Sequence, residues 1–402
     1  MTMIFKMRPI AILFTALLLA TPAASPAAEG IPSAETNYPS FSWDTVQVWC
    51  PLRNSIAYTE DDIRQMAAHK IVMLEKANGH ESYGSVERGV LEAACRIKKV
   101  NPSTKVLFYW NAVIDYHNYA ACKEFDQHKE EWALKKDGKI WLFKNRYMIY
   151  DNREQGLKDW WVKTATEMAA HPEIDGIFID AICKTVPKST IYPYEDSDQQ
   201  YVRMAEQLRN KLPKGKLLIG NALRATSVNG NRQHLDYLDG SYLERWTIGS
   251  GKLSDADAIA SGIELMREAL KKGKIIMLTA TPSGATVDED ETPKAKSAKE
   301  KEKMEAMPGS GRLDFMRKNL TFPLAVFLVC AEKHAYFSYH SGVDANPKST
   351  DIWDNNLMPE LKRPLGKPLS DPVKNGYEYT RSFEHVDVWV NIKTREAKLN
   401  WK

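Results

Sequence analysis

The feature that most constrains the fold is a set of eight short apolar runs, which are separated along the chain by stretches with helical spacing of apolar residues. The runs are continuous rather than alternating, as strands of a parallel sheet buried on both faces require. Strands that alternate with helices in this way predict an α/β fold, the (β/α)8 TIM barrel. The predicted strands are Thr45–Cys50, Lys70–Leu74, Lys105–Trp110, Asp175–Ile179, Lys216–Ile219, Gly240–Leu243, Lys274–Leu278 and Leu324–Val329.

The connections between the runs support the barrel, with a doubly wound open sheet as the alternative. No glycine-rich nucleotide-binding turn of the kind that an open sheet often carries follows any run. The step from the fifth strand to the sixth leaves room only for a short helix. The predicted helices are Thr59–Ala68, Val86–Lys99, Glu154–Ala170, Asp198–Leu212 and Asp255–Lys272.

The two ends of the chain differ from the repeating pattern. Residues 1–28 have a basic start, an apolar core of 12 residues and a stretch of small residues, an order that predicts a cleaved signal peptide and a periplasmic or secreted protein. That core is shorter than the roughly 20 residues of a membrane span, so we expect no membrane attachment after cleavage. Residues 40–362 then form the barrel, and the alternating pattern in 363–402 predicts a small antiparallel β-module.

Charge and cysteine content exclude several classes of function. The chain has 55 Lys and Arg against 52 Asp and Glu, which gives no basic footprint for nucleic acid. The five cysteines include no CxxC pair, and the histidines show no HExxH spacing. We therefore expect neither a metal nor a cofactor, and the sequence does not predict the oligomeric state. The charged segment 288–303 is expected to be a solvated insertion.

Polar and aromatic side chains collect just after the predicted strands. In a barrel the carboxyl ends of all strands meet at one rim, where functional residues lie. Charged residues are rarely buried without partners, so packing alone does not explain this distribution. The candidate substrate-binding residues at this rim are Glu75, His80, Trp110, Asn111, Asp115, Asn221, Arg224 and Trp246.

Two carboxylates at this rim predict a reaction. Asp180 closes the fourth strand and points away from its isoleucines, and Glu244 follows the sixth strand, so both can face one cavity. Glycoside hydrolysis uses such a pair, one to protonate the leaving oxygen and one to attack the anomeric carbon or activate water. Amides and aromatic faces suit a carbohydrate partner. Structural roles remain open at this stage: Asp180 as a rim ion pair, Glu244 as the partner of Arg245 and His80 as a loop residue.

Several segments also resemble a known group of enzymes. IDGIFIDAI, YLERW, RPLGKPL and YTRSFEHVDVWVN are similar to segments of uncharacterised secreted bacterial TIM-barrel glycoside hydrolases near the endo-polygalactosaminidases. The resemblance implies a retaining mechanism, with Asp180 as the nucleophile and Glu244 as the acid. A carbohydrate-binding barrel without activity is the alternative, and it would keep the aromatics and amides without needing two ionisable groups.

Overall fold

The barrel is closed in the computed structural model, which describes residues 37–182, 196–244, 246–247, 249, 253–282, 309–340, 342, 356 and 358–402. Eight parallel strands follow one another around a single sheet. The first and last are joined where Val48 bridges Phe337, whose backbone N–H donates to Gln47 at 2.8 Å. The predicted (β/α)8 fold is therefore confirmed. The strands are Trp49–Leu52, Ile71–Leu74, Lys105–Asn111, Gly176–Asp180, Leu217–Gly220, Gly240–Leu243, Ile275–Ala280 and Ala335–Tyr339.

The predicted eighth strand is wrong. Leu324–Val329 lies within a helix, Thr321–Cys330, and the eighth strand is Ala335–Tyr339. The helix is apolar on all sides because it is covered on more than one side, contacting the barrel's outer layer and the C-terminal sheet. A helix of this kind has no polar face, so its sequence has the same continuous apolar run as a buried strand.

The five predicted helices are confirmed to within a residue or two, and two of them have a side-chain cap at their first turn. The Thr59 hydroxyl accepts from the backbone N–H of Asp62, and Ser254 accepts from that of Asp257. Only a kinked 3-10 helix, Val228–Asp236, connects the fifth and sixth strands, as the short spacing predicted. Among the described residues, the α-helices are Glu60–Ala67, His80–Tyr83, Val86–Val100, Cys122–Trp132, Gln155–Ala170, Ser197–Lys211, Asp255–Lys271, Gly309–Lys318 and Thr321–Cys330.

Side chains on each strand alternate between the barrel interior and the helices outside. On the third strand, Leu107 and Tyr109 lie in the interior cluster, whereas Phe108 and Trp110 belong to the outer core. The same alternation places Phe178 inside on the fourth strand. Residues two positions beyond an interior residue therefore face the mouth of the barrel at its carboxyl end.

Two aspartates stabilise the opposite end of the barrel. Asp175 and Asp239 precede the fourth and sixth strands, and each carboxylate accepts a backbone N–H of a neighbouring strand at 2.8 Å. Asp239 also pairs with Arg209 at 2.5 Å, and both side chains are about nine-tenths buried. These contacts fix the amino ends of the strands, far from the mouth.

The chain closes with a four-stranded antiparallel sheet within residues 363–402, as predicted. The buried side chain of Arg381 ties this sheet to the barrel by donating to the carbonyls of Leu328 and Val329, each at 3.1 Å. The strands are Val373–Asn375, Glu378–Ser382, Val386–Asn391 and Glu396–Trp401.

Two short hairpins in the loop after the third barrel strand pair Lys135–Lys136 with Lys139–Ile140 and Leu142–Phe143 with Tyr147–Met148.

Some predictions concern segments that the structure does not describe. The expected signal peptide, 1–28, and the charged segment 288–303 both lie outside the described residues. Within the described part of the chain, no helix has the length and apolar character needed to cross a membrane. Cys50, Cys95, Cys122 and Cys330 are free thiols, and burial raises the pKa of Cys330 to about 12.

We expect Asp239→Ala to lower the free energy of unfolding by about 3–5 kcal/mol, because it leaves Arg209 as a buried charge without its partner. Chemical denaturation of the full chain measures this loss. Asp61→Ala is the matched control, since Asp61 pairs with Arg64 in solvent, and it should cost less than about 1 kcal/mol. Equal losses in the two variants would contradict a stabilising role for the Asp239 pair.

Candidate active site

Asp180 lies half-buried at the carboxyl end of the fourth strand, and both of its carboxylate oxygens accept hydrogen bonds. Oδ2 accepts from the Tyr109 hydroxyl at 2.5 Å and from the Asn111 amide at 3.3 Å. Oδ1 accepts from the Asn221 amide at 3.0 Å. Donors on the third and fifth strands thus fix this carboxylate from both sides.

Glu244 follows the sixth strand, and its side chain is about one third exposed. Its Oε1 accepts from the Asn221 amide at 3.2 Å and from the Arg224 guanidinium at 3.1 Å. Arg224 also donates to Oδ1 of Asn221 at 3.0 Å, which orients the amide nitrogen toward the carboxylates. Glu244 is therefore held on the side that faces Asp180.

The amide of Asn221 joins the two carboxylates. Its nitrogen lies 3.0 Å from Oδ1 of Asp180 and 3.2 Å from Oε1 of Glu244, so these oxygens are at most about 6.2 Å apart, the length of the two contacts end to end. Two carboxylates at this distance repel each other when both are charged, and the shared amide together with Arg224 offsets part of that repulsion. The structure therefore brings together Asp180, Glu244, Asn111, Asn221 and Arg224 of the predicted site.

Glu75 lies in the same mouth with a partner that the sequence did not indicate. Its Oε2 accepts from Lys76 at 3.0 Å, and the Lys76 ammonium lies 4.9 Å from the centre of the Tyr109 ring. Burial by itself would lower the pKa of Lys76, but the negative charges of Glu75 and Asp180 together with Tyr116 raise it. Lys76 is therefore a fixed positive charge beside Asp180.

Two tyrosines, the buried Tyr109 and the half-buried Tyr242, also belong to the site and were missed. Burial, followed by the nearby charge of Asp180, raises the pKa of Tyr109 well above its ordinary value, so its hydroxyl remains a donor. Burial and the charge of Glu244 do the same for Tyr242. The signal was present in the sequence, because each tyrosine lies two residues before a predicted rim residue, Asn111 or Glu244, and therefore shares its face.

The structure places Trp110 and Trp246 in packed regions rather than at a sugar-stacking position. Trp110 is 1% exposed, and its indole donates to the carbonyl of Trp161 at 3.1 Å. Trp246 is 3% exposed and donates to the carbonyl of Thr279 at 2.8 Å. The prediction that these two rings bind substrate is therefore wrong. Trp110 follows Tyr109 by one residue, so it points outward toward the helices.

Asp115 and His80 are held by local contacts. Asp115 is fully buried, accepts from the Cys122 thiol at 2.8 Å and lies 2.8 Å from Nδ1 of His117. Burial raises the pKa of Asp115. Nδ1 of His80 lies 2.8 Å from the Ala77 carbonyl. Asp115 therefore stabilises the loop after the third strand, and His80 lies at the rim with its ring fixed by its own turn.

One group of described side chains has the composition of a metal site. Asp115, His117 and Asp126 place ligand atoms within 4.8 Å of one another. Asp115 already contacts His117, and Asp126 is exposed. The ordinary pairing of Asp115 with His117 therefore accounts for the cluster.

Comparison with known proteins gives a family and several solved barrels. A family model described as hypothetical glycosyl hydrolase family 15 matches residues 98–387. The chain is similar to the maltogenic α-amylase AmyB of Thermotoga neapolitana, with 12% identity, coverage of 85% of this chain and 84% of that one, and a TM-score of 0.48.

Two further solved structures are similar at comparable levels. An α-amylase of Lactobacillus plantarum has 10% identity, coverage of 89% and 88%, and a TM-score of 0.43. The GH36 α-galactosidase AgaA of Geobacillus stearothermophilus has 8% identity and a TM-score of 0.45 over 89% of this chain and 50% of that one, so this chain spans half its length. No curated protein matches the chain.

The packing of Trp110 predicts a cost in stability. We expect Trp110→Ala to lower the free energy of unfolding by about 3–5 kcal/mol, because it leaves a cavity between the third strand and Trp161. Denaturant titration provides the measurement, and Trp110→Phe, which keeps a ring, should lose less. A Trp110→Ala protein with the stability of the unmodified chain would instead indicate a surface ring.

Proposed function

Because the chain belongs to hypothetical glycosyl hydrolase family 15, we propose that it hydrolyses O-glycosidic bonds of a poly- or oligosaccharide with Asp180 and Glu244 as its catalytic carboxylates. The observation that carries the proposal is the Asn221 amide, which donates to both side chains. Two carboxylates held toward one cavity are what glycoside hydrolysis requires. A carbohydrate-binding barrel without activity would not need this arrangement.

Asp180 is proposed as the nucleophile. Tyr109, Asn111 and Asn221 donate to its two oxygens and hold the carboxylate in one position. In the first step, a carboxylate oxygen of Asp180 forms a bond to the anomeric carbon as the bond to the leaving oxygen breaks. Lys76 adds a positive charge on the same side of the site.

Glu244 is proposed as the general acid and then the general base. Both of its side-chain contacts within the described residues involve Oε1, so Oε2 can reach a glycosidic oxygen. In the first step Glu244 gives its proton to the leaving oxygen. In the second, it takes a proton from the water that attacks the anomeric carbon and releases Asp180. Its exposure of about one third allows water to reach it.

We propose retention of configuration, which the resemblance to secreted TIM-barrel glycoside hydrolases implies and which the spacing of the carboxylates allows. Their facing oxygens are at most about 6.2 Å apart, as the two contacts of Asn221 require. Retaining enzymes separate the two carboxyl groups by about 5–5.5 Å, whereas inverting enzymes need about 6.5–9.5 Å to admit a water molecule. Glu75, Asn111, Asn221 and Arg224 line the same mouth and are proposed as sugar-hydroxyl partners.

We also propose that the enzyme acts outside the cytoplasm. The support is the sequence of residues 1–28, which has the order of a cleaved signal peptide. A polysaccharide substrate in the periplasm or outside the cell is consistent with this location. No cofactor is required by the proposed steps, since the two carboxylates and water supply every proton and bond.

We expect Asp180→Asn and Glu244→Gln each to lower kcat by at least about 10²–10⁴-fold, because each removes a group that exchanges a proton or forms a bond in the reaction. Reducing ends released from a panel of polysaccharides measure the activity. Glu81→Gln at the same rim is the control, since its side chain is 58% exposed. Near-normal turnover in both carboxylate variants would refute the assignment, and circular dichroism checks their folding.

The product should have the anomeric configuration of the bond that was cleaved, because two successive displacements restore it. Proton NMR of the first minutes of hydrolysis, before mutarotation, distinguishes the two anomers. An initial product of inverted configuration would show that water attacks directly and that Asp180 activates water instead of bonding to the sugar.

A further inference from the structure

A cavity of about 180 Å³ opens at the carboxyl ends of the first three strands. It is smaller than the roughly 300–1,000 Å³ of a pocket for a drug-sized ligand, so it suits a single sugar residue. The lining side chains come from three successive rim loops and a hairpin. They include Arg53, Lys76, Tyr116, His117, Arg146 and Tyr147.

The charged side chains that line this cavity are cationic. None of the described residues that line it is acidic, whereas Arg53, Lys76 and Arg146 carry positive charge at neutral pH. Lys76 is partly balanced by Glu75 behind it, at 3.0 Å. Arg146 is exposed, and its guanidinium lies 4.9 Å from the centre of the Tyr147 ring, a position from which its N–H groups can reach into the cavity.

Aromatic rings form the rest of the wall. Tyr116 and Tyr147 meet edge to face with centres 5.1 Å apart, and His117 stacks on Tyr147 at 6.0 Å. Ligand pockets typically combine such apolar ring surface with a few fixed polar groups that set orientation. Rings beside cations therefore suit a ligand that has both a sugar ring and an anionic group, which an arginine can bind through paired N–H donors.

Lys76 lines this cavity and also belongs to the surroundings of Asp180. The Lys76 ammonium lies over the Tyr109 ring, and the Tyr109 hydroxyl donates to Asp180. We infer that the cavity is a subsite for an anionic sugar residue, carboxylated or sulfated, which deepens and rests on the proposed hydrolase function.

Binding of matched monosaccharides to the full chain tests this inference without requiring activity. Isothermal titration calorimetry compares D-galactose with D-galacturonate and D-galactose 6-sulfate, and D-glucose with D-glucuronate and D-glucose 6-sulfate. We expect at least one anionic sugar to bind about tenfold more tightly than its neutral counterpart, with an advantage that falls as salt screens the charges. The carboxylated and sulfated arms distinguish the two sources of charge.

Arg146→Gln should reduce the preference for the anionic over the neutral sugar about tenfold, since it removes an exposed cation without disturbing the core. Lys144→Gln is the matched control, because Lys144 is exposed on the same hairpin and does not line the cavity. The inference is overturned if no anionic sugar binds more tightly than its neutral counterpart, or if the two variants behave alike. Hydrolysis of neutral glycans without any anion preference would refute only the subsite. Anion binding by a chain that hydrolyses no glycan would refute only the hydrolase.

Discussion

The active site depends on the two-residue alternation of side chains within a closed ring of parallel strands. Because each strand sends alternate residues inward, the side chains of a rim residue and of the residue two places before it both point toward the barrel's axis. Tyr109 with Asn111, and Phe178 with Asp180, follow this rule on neighbouring strands. Ring closure then brings Glu244, two strands farther on, to face Asp180 across the amide of Asn221. No single loop builds this constellation.

Bringing two carboxylates together has an electrostatic cost that the surrounding residues offset. Arg224 contacts Glu244 directly, whereas Asp180 receives neutral donors and the more distant charge of Lys76. The two acids therefore have different surroundings, which is the condition under which one member of a pair can act as nucleophile while the other exchanges protons. Asn221 contacts both and couples their positions, so movement of either side chain affects the other.

The sequence predicted much of the fold because buried parallel strands require continuous apolar runs, and seven of the eight runs are strands. The eighth failed because a helix covered on several sides, Thr321–Cys330, has the same composition. At the rim, the rule that strands end together was enough to place Asp180 beside Glu244. It could not supply the contacts of Lys76, which depend on how neighbouring loops fold. The prediction for Trp110 was wrong because it rested on the residue type and not on the strand alternation, which points this side chain outward.

The apolar helix Thr321–Cys330 also has a consequence for the order of folding during synthesis. Its outer surface is covered by strands of the C-terminal sheet, and Arg381 caps its last carbonyls. Those strands leave the ribosome after this helix and after all eight barrel strands. Until they emerge, a completed barrel would still expose an apolar helix, so the docking of this sheet onto the helix follows the folding of the barrel. Chaperones that bind exposed apolar surface would act on the chain during that interval.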